Sequence, residues 1–195
     1  MALRSCESEP DLLRMQPRTG DDGRPAVFPG RVVGVDPGLN VTGYAVLESS
    51  GRATRVVEAG VIRPSAQGKA MGQRLSHLHL GLLEILDEFR PAAVAIERVH
   101  SHVKFPRTAI LMAHARGVIM LAAALRGIPV FGYAASRIKK SLTGSGRAPK
   151  SQMQHAIMTE LRLDALPEPH DVADACAVAL CHHQVSRNMV GLDGH

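Results

Sequence analysis

The 195-residue sequence lacks any long, uninterrupted hydrophobic run. None of its apolar stretches approaches the roughly 18 residues of a membrane-spanning helix, so no membrane association is expected. Residues 1–30 lack the apolar core of a secretory signal. They also lack the Arg- and Ser-rich, acid-poor composition of an organelle transit peptide. These absences favour a cytoplasmic protein.

Cysteine is also scarce, since the chain holds only Cys6, Cys176 and Cys181. An odd and sparse set argues against a disulfide framework and favours a reducing compartment. Cys181 is followed by His182 and His183, but the paired spacing of structural zinc motifs is missing. We therefore expect buried core cysteines rather than zinc ligands.

The composition is that of a soluble globular domain, with 45% hydrophobic residues and a mean hydropathy of zero. The net charge is +5 and the sequence pI is about 9.5. Residues 1–30 carry four arginines and five acids, so their net charge is −1 and the rest of the chain carries +6. A basic body favours a polyanionic partner, nucleic acid above all.

The pattern of apolar residues and turn residues predicts one domain over residues 31–185. Residues 1–30 are predicted to be a disordered extension and 186–195 a short polar tail. The predicted strands are 32–36, 42–48, 55–62, 92–97 and 128–133. The predicted helices are 75–89, 107–126, 136–142, 151–161 and 171–184.

This order of elements predicts an α/β fold with a mixed five-stranded sheet and helices on both faces. The first three strands can form an antiparallel meander. A right-handed crossover would place the fourth strand beside the first and parallel to it.

Two of these strands end on an acid, Asp36 and Glu97. Parallel neighbours would bring both carboxylates to the edge where open α/β sheets bind ligands, and a divalent cation would relieve their repulsion. Taken singly, Asp36 also suits a turn before Pro37 and Gly38. Glu97 alone also suits a solvated strand end or an ion pair with Arg98.

Asp171 and Asp174 are three residues apart, so they share one face of the last predicted helix. Following Pro169, they also suit an N-cap and a capping box, and capping is favoured for this pair alone. The joint occurrence of four such acids favours a metal site. Four carboxylates can bracket two Mg²⁺ ions roughly 3.5–4 Å apart, which suits hydrolysis of a phosphodiester to a 5′-phosphate and a 3′-hydroxyl.

Five segments, in this order and spacing, resemble the RuvC family of bacterial Holliday-junction resolvases: GVDPGLNVTGYAV, AIERV, AHARGVI, YAASRIKKSLTGSGRAPKSQ and DVADACAVAL. The resemblance spans about residues 31–183. It implies a ribonuclease H-like fold, a homodimer and paired nicks across a four-way DNA junction. It also implies two Mg²⁺ ions per subunit, for which Mn²⁺ may substitute, and docking to the RuvA–RuvB branch-migration complex.

The resemblance assigns the metal-binding and catalytic roles to four acids, Asp36, Glu97, Asp171 and Asp174. It places Lys150 near the scissile phosphate and Lys139 in the DNA cleft, although by sequence alone both lysines read as solvated surface residues. The neighbouring basic residues expected to contact DNA are Lys140, Arg147 and Arg107.

One segment departs from the family pattern. Three residues after the glutamate the family often has an aromatic residue that stacks at the junction centre, whereas this chain has His100. The segment is one residue longer here, so Phe105 could take the stacking role instead of His100.

The predicted helix 107–126 is apolar around much of its circumference. Part of it must be core, and its extra breadth makes it the candidate dimer contact. A two-fold junction needs two identical sites, which a C2 dimer provides.

Three other functions fit parts of the sequence. Another ribonuclease H-like nuclease, for example one that processes ribosomal RNA, would share the acids, but the AHARG and GSGRAPK segments favour the resolvase. An actin-like ATPase also begins with Asp-x-Gly in a hairpin, yet it needs a second lobe. A catalytically inactive DNA-binding module would not need all four acids.

Overall fold

The computed structural model describes residues 28–50, 53–63, 70–99 and 106–190. The expected N-terminal extension lies outside them as far as residue 27. The described strands are β1 (Phe28–Asp36), β2 (Thr42–Ser50), β3 (Ala53–Ile62), β4 (Pro91–Glu97) and β5 (Val130–Tyr133). The described helices are α1 (Met71–Phe89), α2 (Pro106–Leu125), α3 (Ala135–Thr143), α4 (Lys150–Leu161) and α5 (His170–Val190).

The strands form one mixed sheet in the order β3-β2-β1-β4-β5. β1, β2 and β3 are an antiparallel meander, whereas β4 is parallel to β1 and β5 is parallel to β4. The predicted meander and the predicted parallel pairing of the first and fourth strands are both confirmed.

Helices cover both faces of the sheet, because alternate strand residues point to opposite sides. Val32, Leu47 and Ala95 pack with α3, α4 and α5 on one side, which we call the α5 face. Val33, Val94 and Ile96 are among those that pack with α1 and α2 on the other side, the α2 face.

β1 begins at Phe28, three residues before the predicted start of the domain. Pro29 and Gly30 fall within the predicted disordered extension, so that prediction is wrong over residues 28–30. Gly30 adopts a left-handed φ of 89°, and the pairing of β1 with β4 shifts register between Phe28 and Val32. A glycine bulge therefore keeps the strand continuous where a side chain would not.

α5 continues to Val190, so the predicted polar tail is wrong over residues 186–190. Ser186 Oγ lies 3.3 Å from His182 Nε2, and Arg187 Nη2 donates to Ser49 Oγ at 3.2 Å and Thr54 Oγ1 at 3.0 Å. These polar side chains read as solvated, but they fasten the helix to the β2–β3 hairpin. The remaining boundaries differ from the predicted ones by at most four residues.

α2 is buried on one side only. Ala115, Ile119 and Ala122 are fully buried on the sheet. Of all the residues in the stretch Arg107–Leu125, however, only 22% are buried. By length and composition alone, this stretch, with a mean hydropathy of 1.7, would also suit a membrane span. α2 is thus a core helix with an open apolar side.

Candidate active site

β1 and β4 bring Asp36 and Glu97 to the same edge of the sheet. Val35 lies opposite Ile96 in the parallel register, and the two acids are the next residues of their strands. Both side chains are half-buried. The sequence predicted this placement from the two strand endings.

α5 can bring Asp171 to that edge because β2 has a glycine, Gly43, where the helix contacts it. Gly43 lies opposite Asp36 in the β1–β2 register. A Cβ at Gly43 would collide with the carbonyl oxygen of Asp171, and one at Gly34 would collide with that of Ala175. The first turns of α5 therefore lie directly on the backbone of β1 and β2.

The capping alternative does not describe this pair of acids. α5 begins at His170, so Asp171 lies inside its first turn. No backbone N–H of the described residues donates a hydrogen bond to the carboxylate of Asp171 or Asp174. Both carboxylates are left for other interactions.

The four acids share one electrostatic environment. Burial, which is the largest cause, and the carboxylates of Asp174, Glu97 and Asp171, in that order, together raise the pKa of Asp36 from 3.8 to about 7. Lys150 opposes these effects. Each carboxylate thus makes ionisation of Asp36 harder, which a bound cation would reverse.

The pKa of Asp174 is also raised, although the residue keeps contact with solvent. Burial is the largest cause, and Asp171 adds to it. Lys150 and, to a smaller extent, His170 oppose the rise in the pKa of Asp174. His170, which the sequence analysis did not single out, is thus close enough to Asp174 to influence it, and its position beside Asp171 was the available signal.

Lys150 is the first residue of α4 and is exposed. The preceding loop is fixed at Thr143, whose Oγ1 accepts from Ser145 N at 3.2 Å and donates to the carbonyl oxygen of Lys139 at 2.8 Å. Ala148, two residues before Lys150, is buried. A fixed loop and a helix start therefore hold the lysine beside the acids.

The other predicted DNA-binding residues fall into three groups. Half-buried Lys139 and exposed Lys140 lie on α3, and exposed Arg147 lies on the loop leading to Lys150. Arg107 is exposed at the start of α2, on the opposite face of the sheet. His100 and Phe105 lie outside the described residues.

All four acids supply carboxylate oxygens, the ligand type that Mg²⁺ and other hard cations prefer. Among the described ranges, no three His, Cys, Asp or Glu side chains, these four included, are close enough together to hold a metal ion. A bound cation would therefore have to draw the four carboxylates closer together. Cys176 and Cys181 are buried free thiols, as predicted, and His182 Nδ1 is hydrogen-bonded to Tyr133 Oη at 2.8 Å.

The sequence and the fold both match known proteins. The family model described as crossover junction endodeoxyribonuclease RuvC matches residues 32–182. The crossover junction endodeoxyribonuclease RuvC of Rhodopirellula baltica is 49% identical over 159 residues, which cover 82% of this chain and 89% of that relative. The corresponding protein of Pelotomaculum thermopropionicum is 44% identical over 151 residues, covering 77% and 91%.

Among solved structures, RuvC of Thermus thermophilus in complex with a Holliday junction substrate has a TM-score of 0.74 and 30% sequence identity. The match covers 81% of this chain and 95% of that chain. The predicted ribonuclease H-like fold is confirmed. The chain belongs to the RuvC family of crossover junction endodeoxyribonucleases.

Proposed function

We propose that this chain resolves four-way DNA junctions by two symmetric nicks, using two Mg²⁺ ions per subunit held by Asp36, Glu97, Asp171 and Asp174. The supporting observation is the pKa of Asp36, which burial and then the other three carboxylates raise to about 7. Carboxylates that oppose one another's ionisation form a site that gains stability from a divalent cation. Mn²⁺ has the same preference for oxygen ligands and is expected to substitute.

Bound in this site, the ions would lower the pKa of the attacking water and stabilise the leaving 3′ oxygen, giving a 5′-phosphate and a 3′-hydroxyl. The four acids would set where the ions, and hence the attacking water and the phosphate, lie. Their own positions follow from two strand ends and from the close contact of α5 with the sheet.

Lys150 supplies positive charge to the scissile phosphate. Its charge already acts on Asp36 and Asp174. The pKa values of both carboxyls are raised, and Lys150 opposes that rise. A fixed cation beside the reacting phosphate stabilises the negative charge that builds in the transition state. Lys139, Lys140 and Arg147 lie on the adjoining α3–α4 segment and contact neighbouring phosphates of the same strand.

The remaining parts of the proposal concern the junction as a whole. Two copies pair through the exposed apolar side of α2, so that two identical sites face the two-fold junction. Arg107, at the start of α2, contacts the DNA there, and His100 or Phe105 stacks at the junction centre. The RuvA–RuvB complex is the partner that delivers junctions, and the location is the cytoplasm.

The test is cleavage of a synthetic four-way DNA junction in Mg²⁺, beside its linear duplex arms and an RNA of matching sequence. Paired, symmetric, religatable nicks in the junction alone are expected. Asp174→Asn should abolish cutting and keep junction binding, because it removes a metal ligand and no phosphate contact. Equal cutting of the linear arms, or cutting of RNA alone, would contradict resolution and assign the site to another nuclease activity.

A further inference from the structure

A second cationic site lies on the α2 face, away from the four acids. It is a cavity of about 420 Å³ between the end of β4 and the flank of α2 that faces β5, beside the exposed apolar residues Ile110, Leu121 and Leu125 of the proposed dimer contact. Its lining consists of Arg98, Val99, Ala113, Arg116, Gly117 and Met120. We call it the arginine pocket.

Strand alternation separates the arginine pocket from the acids. Val94 and Ile96 point to the α2 face, and Arg98, two residues further on, follows them. Glu97 points the opposite way. The pocket and the acids thus occupy the same edge of the sheet on opposite sides.

Arg98 is held in place by β5. Its backbone N–H donates to the carbonyl oxygen of Tyr133 at 2.8 Å, and its Nε donates to that of Gly132 at 3.0 Å. No hydrogen bond joins its Nη atoms to a described residue. The Nε bond therefore fixes this guanidinium in position, while its Nη atoms donate to no described residue.

Gly132 lets the two arginines converge. A Cβ at this position would lie 3.1 Å from Arg116 Nη2 and 3.3 Å from Arg98 Nε. Both guanidinium groups thus lie over the same backbone atom. Like charges brought this close repel one another unless a counter-charge is present.

Arg116 has no counter-charge within the described part of the chain. Its Nε is buried without a hydrogen-bond partner, which is costly for a guanidinium donor. Neither Arg98 nor Arg116 forms a salt bridge with a described residue. α2 itself contains no Asp or Glu, so two α2 helices packed together would not supply one either.

We propose that the arginine pocket binds a backbone phosphate of the DNA, at a phosphodiester other than the one that is cut. Two converging guanidinium groups match the oxygens of a phosphate through bidentate, charge-assisted hydrogen bonds. A strand that crosses the sheet edge from the acids reaches the pocket on the other side of β4. This inference rests on the proposed action on DNA.

The test is the salt dependence of DNA affinity, measured on the whole protein without divalent metal. Arg116→Gln and Arg98→Gln should each weaken junction binding at low salt. Each should also make the plot of log affinity against log salt less steep. The expected change in slope is up to about 0.9 for each pocket that loses its phosphate contact. Arg55→Gln is the matched control, since Arg55 pairs with Glu48 at the opposite end of the sheet.

Gly132→Ala provides a second test that leaves the net charge unchanged. The added methyl group would push the two guanidinium groups apart, so affinity at low salt should fall while the fold is kept, as judged by the melting temperature. Wild-type slopes in Arg98→Gln and Arg116→Gln would overturn the proposal. So would an Arg116→Gln variant that loses self-association, by sedimentation, with an unchanged slope.

The same titration on a linear duplex separates this inference from the proposed function. If the wild type bound junction and duplex equally, junction selectivity would fail, and the slope difference on either DNA would still support the pocket. If the wild type bound neither DNA, both proposals would be overturned.

Discussion

On the α5 face, the helix lies so close to the sheet that Gly34 and Gly43 have no room for a side chain, and Ala175, Cys176 and Ala179 are fully buried. On the α2 face, the helix is buried along one side only. Four of its large apolar side chains are exposed by 39–56%, namely Ile110, Met120, Leu121 and Leu125.

The difference matches two kinds of task. If Asp171 and Asp174 hold metal ions as proposed, the close packing of α5 on the sheet limits how far their carboxylates can move. A helix that is proposed to meet a second copy, as α2 is, keeps its contact residues outside the core. Predictions that change one face and spare the other test this division.

Gly43→Ala should have the largest effect, because its methyl group collides with the backbone of Asp171. We expect single-turnover junction cleavage to fall at least about a hundredfold and the free energy of unfolding to fall by about 1–3 kcal/mol. Gly72→Ala on α1 is the control, since a Cβ there meets no atom within 4 Å. Normal cleavage by Gly43→Ala would contradict the tight packing of α5.

Lys150→Gln should slow single-turnover cleavage by about a hundredfold, because it removes the charge that is proposed to stabilise the transition state. Junction affinity should change far less. Lys140→Gln, an exposed neighbour on α3, should reduce affinity and leave the cleavage rate at saturating enzyme nearly unchanged. If the two variants were reversed in effect, Lys150 would be a binding residue and not part of the reacting site.

Leu121→Glu should break the proposed dimer contact on the α2 face, since it places a charge in an interface whose centre would be apolar. We expect the dimer dissociation constant to rise about thirtyfold or more, measured by sedimentation, with little change in monomer stability. Leu80→Glu is the matched control, because Leu80 on α1 is 50% exposed and Leu121 is 53% exposed. Equal effects of both substitutions would remove α2 as the dimer contact.

The smallest expected effect is the pH dependence of the metal-free protein. Asp36 has a pKa of about 7 in the folded state, against 3.8 for an ordinary aspartate, so the folded state binds more protons between these values. Stability should therefore fall as the pH rises from about 4 to about 7, by about 1–2 kcal/mol for a partly hydrated carboxyl. Asp36→Asn should make the melting temperature less dependent on pH between pH 5 and 8. A plot of melting temperature against pH that is the same as for the wild type would contradict the raised pKa.

The sequence was sufficient for the parts of the fold that follow from local pattern. The two strands ending in Asp36 and Glu97 were recognisable from their short apolar runs, and chain handedness then placed them side by side. Asp171 and Asp174 were recognisable as one helix face. Their orientation toward Asp36 was not, because it depends on contacts made by Gly34 and Gly43 with a helix more than 125 residues away.

The sequence was insufficient where a polar residue makes a distant contact. Arg187 reads as part of a solvated tail until Ser49 and Thr54 are seen to accept its hydrogen bonds. Arg116 likewise reads as a single charge on an apolar helix. Its meeting with Arg98 depends on the pairing of β4 with β5, which brings Gly132 between them.

The close contact of α5 with the sheet also limits how the chain length can vary in evolution. Each residue added to a helix turns the rest of that helix by about 100°. An insertion between Asp171 and Ala175 would therefore leave only one of Gly34 and Gly43 facing its own partner, and would move one acid out of the site. An insertion in the connection 163–169 would leave both contacts intact. Length changes among relatives should therefore collect before the helix and be rare within its first two turns.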